Sequence, residues 1–144
     1  MDDLGPQCGR GAVTTIRTKR TGEHVFTAVN DRGASVEVGR AGQDGVFSPV
    51  ELLLAAAATC VGITAEELVL RRTGTAPLVD ATDVRPPGAH ELDGVRIDVG
   101  IDMSALDDTA RQELLDVVDR AVTALCTVTR TLKRSTAIDM VVAP

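Results

Sequence analysis

The alternation of apolar and polar residues predicts three short strands near the start of the chain. Residues 13–19, 24–29 and 34–38 alternate roughly with period two, and the first of these runs holds four β-branched residues in succession. The polar stretches 20–23 and 30–33 each contain glycine and separate the runs. We therefore expect two hairpin turns that join these strands in antiparallel order.

Residues 48–73 carry the clearest helical pattern. Ser48 is a favourable N-cap, and Glu51 stands three residues later, where it completes a capping box. Gly74 has the residue type that favours the position just after a helix. Because residues 52–58 are apolar on every face, we expect this half of the helix to be buried all round.

The rest of the chain reads as two strands, two helices and a last strand. These are residues 78–84, 95–103, a helix that begins at Asp107 or Asp108, a short helix over 126–134, and 137–142. Hairpins and helices that are segregated along the chain favour an α+β fold with mostly antiparallel pairing. A small domain cannot easily cover an entirely apolar helix start, so we also expect a second copy of the chain to cover it, as a homodimer.

Length and composition set limits on the domain and on its partners. The chain has 144 residues, enough for one domain, which we place at residues 13–144 behind a loose, glycine-rich arm at residues 1–12. The net charge is -6, and the chain holds two Phe but no Trp or Tyr. Nucleic-acid binding favours clustered basic residues and aromatic stacking platforms, so this composition argues against a nucleic-acid partner.

The same features bear on location and on cofactors. The chain begins Met-Asp-Asp, which has the wrong sign for a secretory signal, and the charge-free apolar stretch 52–65 is shorter than the ~20 residues of a membrane span. Three cysteines are too few for a secreted disulfide framework, so we expect a cytoplasmic protein without a membrane partner. No C-x-x-C motif occurs, and His24 and His90 stand alone, so we expect no metal and no cofactor.

Two cysteines carry most of the chemistry that the sequence offers. Cys60 lies in the apolar helix, about 12 residues from its start, where burial raises the pKa of a thiol and the helix dipole gives little help. A reactive Cys60 therefore needs a nearby cation, for which Arg20 is the first candidate and Arg17 the second. Cys126 opens a short helix, a position that lowers the pKa of a thiol. Cys8 has no such frame, and we interpret it as incidental.

The settings of these two cysteines resemble those of the OsmC/Ohr family, the osmotically inducible and organic hydroperoxide resistance proteins. The resemblance rests on Ser48-Pro-x-Glu-Leu-Leu-Leu-Ala-Ala-Ala-Ala-Thr-Cys60 and, 66 positions later, on Cys126-Thr-Val-Thr-Arg-Thr-Leu-Lys133. It covers about residues 13–142. It implies an intertwined α+β homodimer with two long central helices and an active site at the subunit interface.

The resemblance also implies an activity, the reduction of organic hydroperoxides. By analogy, Cys60 is the peroxidatic thiol and Cys126 the resolving thiol, and an external dithiol reduces the disulfide that they form. Arg20 roughly matches the position of the family's N-terminal arginine. In the peroxidase branches a glutamate directly follows the proline, where this chain has Val50; Glu51 comes one position later, about 100° further round the helix.

Two other functions fit the same residues. The first is a dimer without catalytic activity that binds an apolar small molecule in an aliphatic pocket, with the cysteines passive. The second is a thiol redox sensor that forms the Cys60–Cys126 disulfide as a signal. Kinetics with a hydroperoxide and a dithiol distinguish these functions from a peroxidase.

Overall fold

The structure is a computed structural model that describes residues 14–144. The arm predicted for residues 1–12, and Cys8 within it, lie outside the described residues. The chain divides into two compact units, one ending at Val50 and the other beginning at Glu51. Each unit is described by itself below, and the single domain expected over residues 13–144 stays a prediction.

The first unit is a three-stranded antiparallel meander. Its strands are β1 (Arg17–Gly22), β2 (Val25–Val29) and β3 (Ser35–Val38), hydrogen-bonded in the order β1-β2-β3. The three predicted strands and their antiparallel order are confirmed, with β1 displaced toward the C-terminus.

The turn between β1 and β2 differs from the sequence prediction. β1 continues to Gly22, so Arg20 lies within the strand opposite Phe26 and not in the turn. The turn consists of Glu23 and His24, and His24 takes a left-handed conformation with φ 57°. His24 was expected on a strand. An irregularity in the pairing between Arg20 and Gly22 shifts the register and moves the turn along the chain.

The long helix α1 runs over Pro49–Thr73, within one residue of the prediction. Ser48 precedes it and is buried, and Glu51 lies in the first turn. At the other end, Gly74 has φ 77° and its N–H donates to the carbonyl of Leu70 at 2.9 Å. A left-handed residue after the last turn ends a helix at little cost when it is glycine.

Only one face of α1 is fully buried in the chain. Ala57, Val61, Ala65 and Val69, spaced four residues apart, form this face. The expectation that residues 52–58 are buried all round is wrong for the single chain, because Ala57 alone among them is buried. By length and composition α1 is apolar enough to cross a membrane, a test that the core helices of soluble proteins also pass.

The second unit adds a hairpin and two helices to α1. Strands β4 (Leu78–Val84) and β5 (Gly94–Gly100) pair antiparallel along their whole length. Helix α2 spans Asp108–Leu125, and the short helix α3 spans Thr127–Leu132. The predicted α+β class with antiparallel pairing is confirmed, and the structure has two antiparallel sheets.

Helix α2 begins where a side chain can cap it. Asp107 takes an extended conformation, and its carboxylate accepts a hydrogen bond from the backbone N–H of Ala110 at 2.8 Å. Leu114 and Val118 then pack on Ala65 and Val69 of α1 to form the buried core of this unit.

The last predicted strand is absent. Residues 137–142 form no strand, and no pairing with another strand is found within residues 14–144. The apolar side chains of this segment are exposed, Ile138 at 91% and Met140 at 82%. A mostly apolar run alone does not make a strand, because strands are stabilised by their neighbours.

A candidate paired-thiol site

The second unit brings Cys60 and Cys126 together, although they are 66 positions apart in the sequence. Cys60 lies in the middle of α1 and is partly exposed. Cys126 is fully buried and forms the junction between α2 and α3. Both thiols are free, and they lie close enough for each to affect the pKa of the other.

The α2–α3 junction holds Cys126 by its backbone. The N–H of Cys126 donates to the carbonyl of Val122 at 3.1 Å, and the carbonyl of Cys126 accepts from the N–H of Arg130 at 3.0 Å. The guanidinium of Arg130 also donates back to the carbonyl of Ala124, in the last turn of α2. Hydrogen bonds to both helices therefore hold the backbone that carries the Cys126 side chain.

The environment of Cys60 favours the neutral thiol. Burial raises the pKa of Cys60 above its ordinary value, and the interaction with Cys126 adds to the rise. The backbone N–H groups of Val128 and Thr127 act in the opposite direction without offsetting it. The expectation from sequence that the helix interior raises the pKa of Cys60 agrees with this direction.

The environment of Cys126 favours the thiolate. Burial acts to raise the pKa of Cys126, but the hydroxyl and the backbone N–H of Thr129, the thiol of Cys60 and the N–H of Val128 outweigh it, so that the pKa is lowered. Starting from the same ordinary value, the pKa of Cys126 is thus lowered and that of Cys60 raised, so Cys126 loses its proton at the lower pH of the two.

An apolar cavity of about 830 Å³ lies beside the pair within the second unit. Val61, which follows Cys60, and Thr129, which contacts Cys126, both belong to its wall. The other apolar wall residues come from α1, from β5 and the residue pair before it, and from α2 and α3: Leu53, Leu92, Val95, Ile97, Val99, Leu115, Val118, Val122 and Leu132. Asp93, Asp119 and Lys133 are its charged wall residues.

Three other candidates from the sequence are not brought to the pair by any described contact. Arg20 is exposed in β1, in the first unit, and Arg17 forms an ion pair with Asp31 at 2.8 Å. Glu51 is exposed in the first turn of α1. Catalytic roles for Arg20 and Glu51 stay predictions.

Thr129 and the cavity are the features of the site that sequence reasoning missed. The signal for Thr129 was present as Cys-x-x-Thr at the start of a helix, the spacing of a capping residue and its N3 partner. The cavity had no such signal, because its walls come from separate elements. Within the described residues, no group of three or more His, Cys, Asp or Glu could hold a metal ion.

Comparisons with known proteins identify the family. Residues 42–141 match the family model of the OsmC-like proteins. The chain is also 36% identical over 133 residues to uncharacterized proteins of Mycobacterium bovis and of Mycobacterium tuberculosis strain H37Rv, covering 89% of this chain and 95% of each relative.

Solved structures share the fold at low sequence identity. An OsmC-like protein from Mycoplasma pneumoniae superposes with a TM-score of 0.65 at 18% identity, over 86% of this chain and 89% of that one. An OsmC-like protein of unknown function from Vibrio cholerae gives 0.62 at 10% identity, over 84% and 94% of the two chains. With the family model matching most of its length, this chain belongs to the OsmC-like family.

Proposed function

We propose that this protein is a cytoplasmic thiol peroxidase that reduces organic hydroperoxides through Cys60 and Cys126. The observation that carries the proposal is the contact between these two thiols, one partly exposed and one buried, beside an apolar cavity. A lone buried cysteine is most often a packing residue. Two thiols in mutual contact can instead form a disulfide without a large rearrangement of the chain.

The reaction balances in atoms and in charge. The thiolate of Cys60 attacks the terminal peroxide oxygen, the O–O bond breaks, and the leaving alkoxide takes up a proton from water to become the alcohol. Cys60 is then a sulfenic acid, and the thiolate of Cys126 resolves it. Cys126 attacks the sulfur of Cys60, a disulfide forms and hydroxide leaves. An external dithiol reduces the disulfide by exchange and is itself oxidised.

The cavity supports an organic substrate in preference to hydrogen peroxide. Its walls are mostly aliphatic, so the hydrocarbon part of a hydroperoxide would leave water on binding, at about 25 cal/mol per Å² of apolar surface. A volume of about 830 Å³ lies within the range of ligand-binding cavities. The peroxide group would then be directed to the part of the wall that Val61 and Thr129 form.

We also propose that the functional form is a homodimer with α1 at its centre. The support is the exposure of apolar residues that a second copy would cover, among them Ile63 of α1 at 75%. Arg20 and Glu51 are the residues that we propose to assist Cys60 in that assembly, by charge and by positioning.

Peroxide consumption tests the proposed activity. We expect the protein to consume cumene hydroperoxide in the presence of a dithiol, and Cys60→Ser to reduce the rate to that of the dithiol alone, because the attacking sulfur is lost. Cys126→Ser should remove turnover but leave a Cys60 sulfenic acid that a dimedone probe traps. Cys8→Ser is the matched control and should retain the full rate. If Cys60→Ser consumes peroxide as fast as the parent, the proposal is wrong.

A second candidate function is the binding of an apolar small molecule without catalysis. The observation that favours it is the cavity itself, whose walls are apolar apart from a few polar and charged groups. Native mass spectrometry of gently purified protein would then reveal a retained lipid-like ligand, and no rapid peroxide loss would occur. A redox sensor would form the disulfide once and accumulate it, since a dithiol would not support turnover.

A further inference from the structure

The short helix α3 and the residues that flank it line two different concave sites of the second unit. Thr129, Leu132 and Lys133 belong to the wall of the apolar cavity. A smaller pocket of about 280 Å³, which we call the arginine pocket, has a mostly polar wall that consists of Leu125, Thr127, Arg130, Thr131 and Arg134. The four polar wall residues follow one another at the three- and four-residue spacing of a single helix face.

The arginine pocket holds two guanidinium groups that no described carboxylate neutralises. Among residues 14–144, neither Arg130 nor Arg134 forms an ion pair, and the Arg130 guanidinium donates to the carbonyl of Ala124. A guanidinium has five N–H donors, so most of these donors remain open to a ligand. In the same part of the chain, the hydroxyl of Thr127 forms no hydrogen bond, whereas that of Thr131 donates to the carbonyl of Thr127 at 2.7 Å.

The charge of the surrounding chain also favours an anion. The protein has a net charge of -6, yet residues 120–138 contain no Asp or Glu and hold four basic residues, Arg120, Arg130, Lys133 and Arg134. The wall of the arginine pocket contains no carboxylate either. Positive charge that is concentrated in this way attracts anions over about one Debye length, ~10 Å at 0.1 M salt.

We propose that the arginine pocket is a binding site for a small molecule that carries a phosphate group. A planar guanidinium matches two phosphate oxygens with parallel N–H bonds, and two guanidiniums four residues apart match the double negative charge. Leu125, 70% exposed, gives the same wall an apolar contact, which favours a phosphate ester over free phosphate. A volume of about 280 Å³, at the lower end of ligand pockets, admits a phosphate with a few carbon atoms.

The proposed site goes beyond the thiol chemistry, although it lies on the same stretch of backbone. Leu125 and Thr127, which precede and follow Cys126, belong to the pocket wall. The N–H of Arg130 donates to the carbonyl of Cys126, and its guanidinium donates to that of Ala124. Binding requires no peroxide and no oxidised cysteine. It is therefore measured on the reduced protein, and its outcome is independent of the proposed peroxidase activity.

An NMR titration of the reduced, isotope-labelled protein tests the site, with glycerol 3-phosphate and inorganic phosphate as probes at constant ionic strength. We expect glycerol 3-phosphate to shift the backbone amide signals of the pocket wall with a Kd of about 1 mM or tighter. Inorganic phosphate should shift the same signals with lower affinity, because it has no carbon atoms to contact Leu125. Absence of these shifts with both probes would overturn the proposal, and inorganic phosphate that binds as tightly as the ester would refute the preference for an ester.

Substitutions of the two arginines locate the bound phosphate. The side chain of Arg134 makes no hydrogen bond or ion pair within residues 14–144, so Arg134→Gln should fold. It should weaken the binding of glycerol 3-phosphate about tenfold, because a charge-assisted hydrogen bond is lost. Arg130→Lys keeps the charge but not the paired N–H groups, so it should also weaken binding.

Arg120→Gln is the matched control for these variants. It removes the same charge from the same acid-free segment, at a position outside the pocket wall. Its affinity for glycerol 3-phosphate should stay within about twofold of the parent value, since a distant exposed charge is screened by salt. If Arg120→Gln weakens binding as much as Arg134→Gln, or if Arg134→Gln binds like the parent, the arginine pocket is not the site and the proposal is wrong.

Discussion

The two sulfurs of the pair should affect stability in opposite directions as pH rises. An unfolded thiol here has an ordinary pKa of 9.0. Because burial raises the pKa of Cys60 in the folded chain, its contribution is fully present below pH 9.0 and is lost as pH rises through the folded value. Because hydrogen bonds lower the pKa of Cys126, its contribution is present above pH 9.0 and is lost as pH falls through the folded value.

This opposition gives a prediction for single-cysteine variants. Cys126→Ser, which keeps Cys60, should lose stability as pH rises above 9.0, whereas Cys60→Ser, which keeps Cys126, should gain stability as pH approaches 9.0 from below. Urea unfolding under reducing conditions from pH 7 to pH 10 measures both trends. The variant with both substitutions supplies the background from all other titrating groups, and parallel curves for the two single variants would contradict the assignment.

At the scale of single residues, the sequence predicts the directions of the two pKa shifts but not the contact between the two thiols. The position of Cys60 inside an apolar helix predicts a raised pKa, and the position of Cys126 before a short helix predicts a lowered one. Neither position says that the two sulfurs meet, because 66 residues of intervening chain determine that. The cation expected for Cys60 is a similar case: Arg20 could be named, but its distance to the thiol depends on packing that no local pattern encodes.

Two glycines, one inside helix α1 and one just after its end, test how this helix is stabilised. Gly62 lies in its interior, and a Cβ atom added there would meet Val79 Cγ2 at 3.7 Å, an ordinary contact. Gly74 lies just after its end with φ 77°, where an added Cβ strains the backbone. The same substitution should therefore have opposite effects at the two positions.

Gly62→Ala should stabilise the protein by about 0.5–1 kcal/mol, because alanine loses less backbone freedom in a helix interior. Gly74→Ala should destabilise it by about 1 kcal/mol, since a residue with a Cβ atom resists the left-handed conformation. Chemical denaturation of the two variants beside the parent measures both values. If both substitutions change the free energy of unfolding in the same direction, then something other than backbone conformation determines the effect at one of these positions.

The elements that the sequence predicted best are those whose signals are local. The sequence predicts the bounds of helix α1 to within one residue because Ser48 and Gly74 mark its ends, and Asp107 in the same way marks the start of α2. The predictions that failed depend on pairing partners. The shift of the first turn follows from the register between β1 and β2. The last predicted strand does not form because the mostly apolar residues 137–142 find no neighbouring strand within residues 14–144.

At the scale of the whole molecule, many large apolar side chains among the described residues are exposed. On α1, Ile63 is 75% exposed and Leu70 39% exposed, both on the side away from the buried face. After α3, the C-terminal segment also exposes apolar side chains, among them Val141 at 83%. Exposed apolar surface of this extent marks an interaction site, and a second copy of the chain is the partner that we propose.

The order of elements was enough to predict the α+β class, because hairpins and helices are segregated along the chain. It was not enough to predict the cavity, whose walls are drawn from α1, β5, α2 and α3. Nor could the apolar start of α1 tell a buried helix from one exposed in the single chain. An apolar helix face has to pack against other apolar residues, but the sequence does not show whether these belong to the same chain or to a second copy.

Ile63 allows the dimer proposal to be tested with a change that the single chain should tolerate. At 75% exposure, Ile63→Lys removes little burial within the chain, and its direct cost to folding should be within about 0.5 kcal/mol. In a dimer with α1 at its centre, the same lysine would place an unpaired charge in an apolar interface.

We expect light scattering to give the mass of two 15.1 kDa chains for the parent and for Ile63→Val, the matched apolar control. The lysine variant should need at least about tenfold more protein to dimerise. A parent that stays at the mass of one chain across the concentration range would show that no dimer forms. A lysine variant that dimerises like the parent would show that the dimer contact does not include Ile63. Because the cavity and the paired thiols belong to the second unit of each chain, peroxide turnover by the lysine variant then shows whether the reaction needs the partner subunit.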